Sequence, residues 1–563
     1  MFHQLLTPIG HGLGPSVLVA ALPVLVVVVM LGVLRTAAWL ASLAGLAVGF
    51  AVAVGPWHMP PHLAVQSALN GATFALWPVM WLVLNGLLLY NIAVRSGRFD
   101  AFRSWLLANL PGDRRVVLVV VGFCFGALLE GVIGFGCPVA ITSSLLIAVG
   151  FEPLPALVFV LIFNTAPVAF GALGTPVTVL AAVTGLPAAT LAAMIGRQLP
   201  VIALILPLYV TALYGGWRSV RSLAPLLLVA GGSFALVQCL AANLGAYTLV
   251  DVLSSLISLT VTLLFLRRWR PAPDATFAVQ GPPQESGGSP PAQAGGTPVQ
   301  AGSPPAQASG TPVQGTAVSA WQGWLPWAVA VLVVVPWTWL NVAAWGERRI
   351  PWPQLHDAIA ITLYHDRPYA AVWSFQPLGS GTAILVACVI CALLLKVTVR
   401  DFAACMLLTL RQIWLAVVTV MLIVALAYLM NYSGLAYTLG LGAASAGRWF
   451  VLFSPLLGWV AVALSGSDTS GNALFGNLQV VAARQLDLSP VLFAATNSSG
   501  GVMSKMISPQ NIATGVSVIG LRGREGAVFA RTFLHSLALT LVLVALVIVQ
   551  QFLLPGTIPG AGR

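Results

Sequence analysis

Charged side chains are scarce in this chain. Asp, Glu, Lys and Arg make up only 7% of its 563 residues, whereas hydrophobic residues make up 59%. That composition excludes a water-soluble protein of ordinary type. Apolar runs recur along the chain, and each is near the roughly 20 residues that a helix needs to cross a bilayer. The sequence therefore predicts an all-α polytopic membrane protein in contact with the lipid bilayer.

The motifs of enzymes and metal sites are also missing. The six cysteines lie in or beside apolar segments, and the CxxC pair Cys388 and Cys391 has no second ligand pair. The chain contains no HExxH motif and no Cys/His ligand set. We therefore expect no enzyme activity, no metal and no cofactor. No basic segment precedes the first apolar run, so we expect residues 16–35 to be a retained helix and not a signal peptide.

The net charge of +11 has a membrane explanation. The arginines occur in short clusters between apolar runs, which is the positive-inside pattern of membrane proteins. We therefore expect no nucleic-acid partner.

Residues 271–318 differ in composition from the rest of the chain. Residues 288–301 (GSPPAQAGGTPVQA) are followed at once by the near-copy at 302–315 (GSPPAQASGTPVQG). A segment so rich in Pro, Gly, Ala and Gln cannot bury enough apolar surface to offset the entropy lost on ordering. This predicts a disordered linker between two membrane halves, residues 1–270 and 319–563.

Polar residues interrupt the hydrophobic sequence at 464–510. The stretch contains Asp468 and Lys505, and Gly500-Gly501 and Pro509 disfavour a continuous helix. Charges and broken backbone at membrane depth are tolerated only where they are buried in protein or line a cavity. We therefore interpret this stretch as a substrate site.

The same stretch has a counterpart in the first half. The matching pieces share their order and internal spacing: residues 129–136 and 464–471, Asn164-Thr165 and Asn497-Ser498, and Thr175-Pro176 and Ser508-Pro509. An ordered series of matches indicates an internal repeat, with copies at about 71–214 and about 410–553. Paired interrupted segments in two halves are typical of the binding site of a secondary transporter.

The basic residues favour opposite orientations for the two copies. Five arginines at 95–115 follow the first helix of copy one, whereas Lys396, Arg400 and Arg411 precede the matching helix of copy two. If basic loops are cytoplasmic, the repeats have inverted topology, with re-entrant hairpins and interrupted helices. The linker is then cytoplasmic and both termini are periplasmic. The loop at 346–376 is then outside, although it carries three arginines. Broken, inverted repeats also argue against a channel.

Long motifs in both halves resemble those of bacterial L-lactate permeases. They are FCFGALLEGVIGFGCPVAIT (123–142), FNTAPVAFGALGTP (163–176), GRQLP (196–200), LGWVAVALSGSDTSGNALF (457–475) and SSGGVMSKMISPQ (498–510). The resemblance implies proton-coupled uptake of L-lactate and related short 2-hydroxy monocarboxylates across the inner membrane. The implied partners are a monocarboxylate anion and a proton. A sodium-coupled or glycolate-preferring carrier is the alternative.

A site for such an anion needs a positive charge and hydrogen-bond donors. Lys505 supplies the only full positive charge in the motifs at 123–142, 163–176, 457–475 and 498–510, although a lysine near a helix end also snorkels. Half-helix N-termini after Gly500-Gly501 and Gly171–Gly174 are expected to add N–H donors. Neutral polar side chains either bind substrate or join helices. The expected substrate-binding residues are Lys505, Asn497, Ser498, Ser499, Asn164, Thr165, Gly136 and Asn472.

Proton coupling needs a group that changes its protonation state during transport. Glu130 and Asp468 are the carboxylates at the interrupted segments, and we favour Asp468 because the neighbouring glycines leave it open. His535 in the last helix is the next candidate for carrying the coupling proton. A lone histidine in such a helix is, however, more often packed or hydrogen-bonded than a proton relay.

Other roles remain open for several acidic residues. Asp468 is also able to form a permanent ion pair with Lys505, or a sodium site with Ser467, Thr469 and Asn472. Glu152 and Asp487 are expected to be helix N-caps, because each precedes a proline that begins an apolar run.

Overall fold

The computed structural model describes residues 1–34, 36–134, 136–279, 320–521 and 523–560. In this part of the chain, eight helical stretches are long and apolar enough to cross a membrane. The number is nine when the pair Pro153–Phe163 and Val168–Thr184, bent by 65°, counts as one span. The prediction of a helical, multi-span membrane protein is confirmed.

The first half contains twelve α-helices in its described residues. They are α1 (Leu13–Gly32), α2 (Ala38–Val54), α3 (Pro61–Phe74), α4 (Trp81–Arg95), α5 (Arg98–Ala108), α6 (Arg114–Val117), α7 (Gly126–Val132), α8 (Cys137–Ala148), α9 (Pro153–Phe163), α10 (Gly171–Thr184), α11 (Ala188–Asn243) and α12 (Val250–Arg268). Short π-helical segments join α3 to α4 and α6 to α7, and the 3-10 turn Val168–Phe170 precedes α10.

The second half contributes nine more α-helices from its described residues. They are α13 (Leu325–Trp339), α14 (Ser380–Leu394), α15 (Val399–Ser433), α16 (Leu435–Ala444), α17 (Phe450–Ser465), α18 (Asp468–Gln485), α19 (Pro490–Ser504), α20 (Pro509–Val518) and α21 (Glu525–Ile548). The 3-10 turn Lys505–Ile507 separates α19 from α20. Proline begins several of these helices, as in α9, α19 and α20, because its missing N–H costs nothing at that position.

The same order of elements occurs in both halves. In the first half a helix ending at Val132 is followed by a break, the hairpin α8–α9, a 3-10 turn, α10 and α11. In the second half α17 is followed by a break, the hairpin α18–α19, a 3-10 turn, α20 and α21. Gly136 and Gly466 lie at the two breaks with φ of +80° and +73°, a backbone conformation that glycine adopts without a steric penalty. The paired motifs of the sequence thus fall on paired interruptions.

The two halves pack directly against each other. Helix α3 packs on α15, α4 on α14, α10 on α18 and α11 on α19. The interrupted helices of one half therefore lie beside those of the other half.

One predicted helix break is absent from the structure, and another is present. Gly500 and Gly501 do not break a helix, because α19 continues through both to Ser504. A Cβ at Gly500 would overlap the carbonyl oxygen of Pro455, so these glycines allow α19 to approach α17 closely. In the first half, the two helices predicted at about 199–214 and 223–241 lie on either side of a kink in α11, where Gly216 has a non-helical φ of +70° and ψ of −179°.

The expectation of N-caps at two acidic residues is half right. Glu152 occupies the N-cap position of α9, although its side chain makes no capping hydrogen bond. The prediction for Asp487 is wrong, since Ser489 caps α19 and accepts a hydrogen bond from the Leu492 N–H.

Short strands qualify the all-α prediction. They are β1 (Phe2–His3), β2 (Arg348–Pro351), β3 (Ile359–Ile361), β4 (Arg367–Pro368) and β5 (Val372–Phe375). Strand β1 pairs parallel with β3, β3 pairs antiparallel with β4, and β2 pairs antiparallel with β5. The polar loop at 346–376 is therefore structured, and it holds the first residues of the chain.

Most of the predicted linker, residues 280–318, lies outside the described residues. Its first residues, 271–279, contact the loop before α6. The Val279 N–H donates to the Gly112 carbonyl over 2.9 Å, and Arg114 donates to the Thr276 carbonyl over 2.8 Å. The Arg115 guanidinium lies 4.3 Å from the centre of the Phe277 ring.

Candidate functional site

The first interrupted segment places a glutamate beside unusual backbone. Glu130 lies in the last turn of α7. Ala172, Leu173 and Gly174 at the start of α10 have φ between +44° and +74°, a conformation that costs free energy for residues other than glycine. Gly171 lies so close that a Cβ there would be 3.0 Å from Glu130 Oε1. The strained turn is thus fitted around the carboxylate.

The second interrupted segment contributes the opposite charge. Lys505 begins the 3-10 turn after α19, and Asp468 begins α18 after the break at Gly466. Ser467 caps α18 and Ser508 caps α20, each through its side-chain oxygen. Both charged residues thus lie where helices end at membrane depth.

Lys505 forms a buried ion pair with Glu130. The Lys505 Nζ atom lies 2.6 Å from Glu130 Oε1, and the two side chains are 8% and 3% exposed. Asn164 donates from Nδ2 to the other oxygen, Glu130 Oε2, over 3.0 Å. The lysine of the second copy is therefore neutralised by the glutamate of the first. The alternative of a Lys505–Asp468 ion pair is not what the structure contains.

Asp468 is held by neutral groups and keeps one oxygen free of hydrogen bonds. Its Oδ2 accepts from the Ser498 hydroxyl over 2.5 Å and from Asn472 Nδ2 over 3.2 Å. Its Oδ1 is buried without a partner. Asn497 donates to Asn472 Oδ1 over 2.9 Å, which extends the network from α18 to α19.

A small cavity joins the two interrupted segments. It has a volume of about 40 Å³ and is lined by Glu130 and Gly171 from the first half and by Asp468, Lys505 and Asn511 from the second. That volume admits a water molecule or two and is smaller than a bound hydroxy acid requires. In this conformation the cavity is small and only partly enclosed.

The sequence of this chain matches a known family. The L-lactate permease family model matches residues 16–554. The L-lactate permease of Bacillus subtilis (strain 168) is 39% identical over 573 residues, covering 99% of each chain. The glycolate permease GlcA of Escherichia coli (strain K12) is 38% identical over 566 residues, covering 98% of each.

This chain belongs to the L-lactate permease family. It is therefore a transporter and not an enzyme, and the resemblance of its motifs to that family is confirmed. Among solved structures, the YdaH transporter of Alcanivorax borkumensis matches 85% of this chain and 86% of its own, at 17% identity and a TM-score of 0.42.

The remaining predicted site residues of this transporter are not all gathered together. Ser499 and Thr165 are buried with hydroxyls that have no hydrogen-bond partner. Gly136 faces Asn511, whose Oδ1 would lie 3.2 Å from a Cβ there. His535 lies elsewhere, because its Nδ1 is 2.5 Å from the Tyr209 hydroxyl on α11.

The sequence left open a sodium site at Asp468 with oxygen ligands from Ser467, Thr469 and Asn472. Asn472 directs its amide nitrogen at Asp468 and its oxygen at Asn497, whereas a sodium ion requires oxygen ligands. Among the described residues, no group of three or more His, Cys, Asp or Glu side chains is arranged to hold a metal ion.

Sequence reasoning missed one charged residue beside the site. Asp251 lies in the first turn of α12, is 1% exposed, and has no hydrogen-bond partner for either carboxylate oxygen. A signal was present, since Asp251 is the only acidic residue of the candidate membrane-spanning helix Val250–Arg268.

Proposed function

We propose that this transporter takes up L-lactate and related short 2-hydroxy monocarboxylates by proton symport across the bacterial inner membrane. Family membership and the names of its relatives support the substrate class. The observation that carries the coupling mechanism is the buried ion pair between Glu130 and Lys505.

The ion pair makes anion binding depend on a proton. Lys505 is the cation available to a substrate carboxylate, but Glu130 already occupies it at 2.6 Å. A substrate that takes Lys505 displaces Glu130, and an unpaired carboxylate at this depth is costly. Protonation of Glu130 removes that cost. One substrate anion and one proton therefore enter together, with Lys505 always neutralised by one carboxylate.

The competition identifies Glu130 as the first candidate for the coupling proton. Sequence reasoning favoured Asp468 instead. Asp468 makes no ion pair with Lys505 and its Oδ2 is already stabilised by Ser498 and Asn472. We propose that Asp468 binds the substrate hydroxyl. The hydroxyl would donate a hydrogen bond to Asp468 Oδ1, which has no partner. Such a contact discriminates 2-hydroxy acids from plain carboxylic acids.

A carrier that prefers glycolate to lactate is the second candidate function. The cavity is only about 40 Å³, and its walls include Gly171 and Ala172. Glycolate lacks the methyl group of lactate and needs less expansion of this space. A sodium-coupled carrier remains the alternative for the coupling ion.

Uptake into proteoliposomes tests the proposal. Labelled L-lactate is offered under an inward proton gradient with the membrane potential clamped, in sodium-free and in sodium-containing buffer. We expect accumulation that follows the proton gradient and is indifferent to sodium. Competition by unlabelled glycolate and propionate ranks the substrates, and liposomes without protein are the control. Accumulation that needs sodium and ignores pH would contradict proton coupling.

We further propose that the linker and basic loops are cytoplasmic and the termini periplasmic, with the two repeats inverted. Two contacts support this arrangement. Arg95 pairs with Asp401 at 2.7 Å, which brings the basic loops of both halves to one side. Strand β1 pairs with β3, which brings the N-terminus to the loop at 346–376. Single cysteines replacing the exposed Ser104 and Ser445 should react with an impermeant maleimide from opposite sides. Labelling from the same side would refute the inversion.

A further inference from the structure

Asp251 is buried beside the ion pair, with both carboxylate oxygens unpartnered. The residue is 1% exposed, and neither Oδ1 nor Oδ2 has a hydrogen-bond partner. An unsatisfied buried acid destabilises a folded protein, and an apolar side chain of similar size would serve packing better. A structural role therefore does not explain an aspartate at this position.

The start of α12 fits against both interruptions of the first repeat. A Cβ at Gly131, the residue after Glu130, would lie 2.9 Å from the Asp251 Cβ. A Cβ at Gly174 would lie 2.9 Å from the Tyr247 carbonyl oxygen just before α12. The absence of a side chain at these glycines lets the N-terminal turn of α12 approach the segment that carries Glu130.

The charged groups that act on Asp251 are those of the site. Glu130 from α7 and Lys505 from the second half are close enough for their charges to influence its carboxyl. Helix α10 has no charged residue. On α11, Arg197 bonds to Asn243 and Thr557.

The other titratable groups that pack near α12 are exposed to solvent or contact residues other than Asp251. Arg218 and Arg221 of α11 are exposed. Cys124 contacts Ser258, seven residues further along α12. The Tyr247 hydroxyl lies 3.5 Å from the Thr178 hydroxyl.

We propose that Asp251 is the proton-relay residue that supplies Glu130, an inference that rests on the proposed symport. While Glu130 is paired with Lys505, Asp251 carries a proton, because an ionised carboxylate there has no partner. When the substrate anion takes Lys505, the Asp251 O–H bond breaks, its electron pair stays on Asp251, and an O–H bond forms on Glu130. A proton from the external solution then returns to Asp251. The net result is one proton taken up with one anion.

The relay separates two modes of transport. Net uptake requires Glu130 to gain and lose its proton in every cycle. Exchange of internal for external lactate does not, because Glu130 stays protonated while one anion replaces another. Asp251→Asn keeps the size of the side chain but replaces the carboxyl with an amide, which cannot pass a proton to Glu130. We expect net uptake to fall about a hundredfold, within the range that a positioned acid–base group contributes, while exchange stays close to that of the unmodified protein.

The experiment measures both modes on the same reconstituted proteins. Asp100→Asn is the matched control, because Asp100 is exposed on α5 and should leave both modes unchanged. Gly131→Ala is the second variant, since its methyl group displaces Asp251 without removing the carboxyl and should slow net uptake more than exchange. If Asp251→Asn leaves net uptake intact, or lowers both modes equally in protein as well folded as the unmodified form, the relay is refuted. If the unmodified protein moves lactate without protons, the proposed symport fails instead.

Discussion

Replacing Glu130 by Gln tests the competition at Lys505 most directly. In the unmodified protein, an ionised Glu130 holds Lys505 at 2.6 Å, and both side chains are less than 10% exposed. The amide removes the competing charge and keeps the size of the side chain and an oxygen for Asn164. We expect substrate binding to lose its dependence on pH, and exchange to continue while accumulation against a gradient fails.

The size of the effect follows from the contact that the substrate must displace. A hydrogen bond to a charged group contributes about 1.5–3 kcal/mol. Without that competitor, lactate should bind about ten- to a hundredfold more tightly to Glu130→Gln than to the unmodified protein at alkaline pH. The difference should become smaller as pH falls, because the proposed symport takes up one proton with each anion that binds. The affinity of the unmodified protein therefore falls as pH rises, while that of the variant stays level.

The assay is equilibrium binding of labelled lactate to purified protein between pH 5 and pH 8, with thermal unfolding in parallel. An unpaired buried Lys505 destabilises the empty variant by roughly 3–5 kcal/mol, so lactate should raise its melting temperature more than that of the unmodified protein. Glu152→Gln is the control, because Glu152 is exposed and makes no capping hydrogen bond. Binding by Glu130→Gln that is weaker at pH 8, or as pH-dependent as before, would refute the competition.

The remaining predictions concern the cation, the hydroxyl contact, helix packing and the linker. Lys505→Ala should abolish lactate binding, since the substrate carboxylate is left without a partner, whereas Lys396→Ala at an exposed position should bind normally. Asp468→Asn should reduce the preference for lactate over propionate by about tenfold, as competition assays would reveal; an unchanged preference argues against the hydroxyl contact. Gly458→Ala should destabilise the protein by about 1–3 kcal/mol in thermal unfolding, because its methyl group meets the backbone carbonyl of α19. Deleting residues 281–315 should leave uptake intact, and loss of folded protein would show that the segment packs against the membrane domain.

The sequence was informative wherever local chemistry decides the structure. Long apolar runs predicted membrane helices, and the matched motifs at 129–136 and 464–471 contain the breaks that the structure has at Gly136 and Gly466. In each interrupted segment a predicted polar residue contacts the carboxylate: Asn164 donates a hydrogen bond to Glu130, and Ser498 donates one to Asp468. These features depend on nearby residues, and so the pattern of a single chain was enough to find them.

Features that depend on packing between distant segments could not be predicted. Glu130 and Lys505 are 375 positions apart, and their pairing follows from how the halves dock. The helix propensity of Gly500 is poor, but close contact with Pro455 outweighs it and keeps α19 intact. Asp251 gave a local signal of an acid in an apolar helix, but its proximity to the site required the fold.

The pairing of β1 with β3 has a consequence for biosynthesis. Phe2 and His3 pair with Ile359 and Ala360, and the Gln4 side chain donates to carbonyl oxygens of α15 near its end. At ordinary translation rates the ribosome needs roughly 20–70 s to travel from residue 2 to residue 359. Until residue 359 has been made, the first residues have no β3 to pair with. The sheet therefore closes only after the second half has begun to insert, and a nascent chain stalled before residue 359 should keep a protease-sensitive N-terminus.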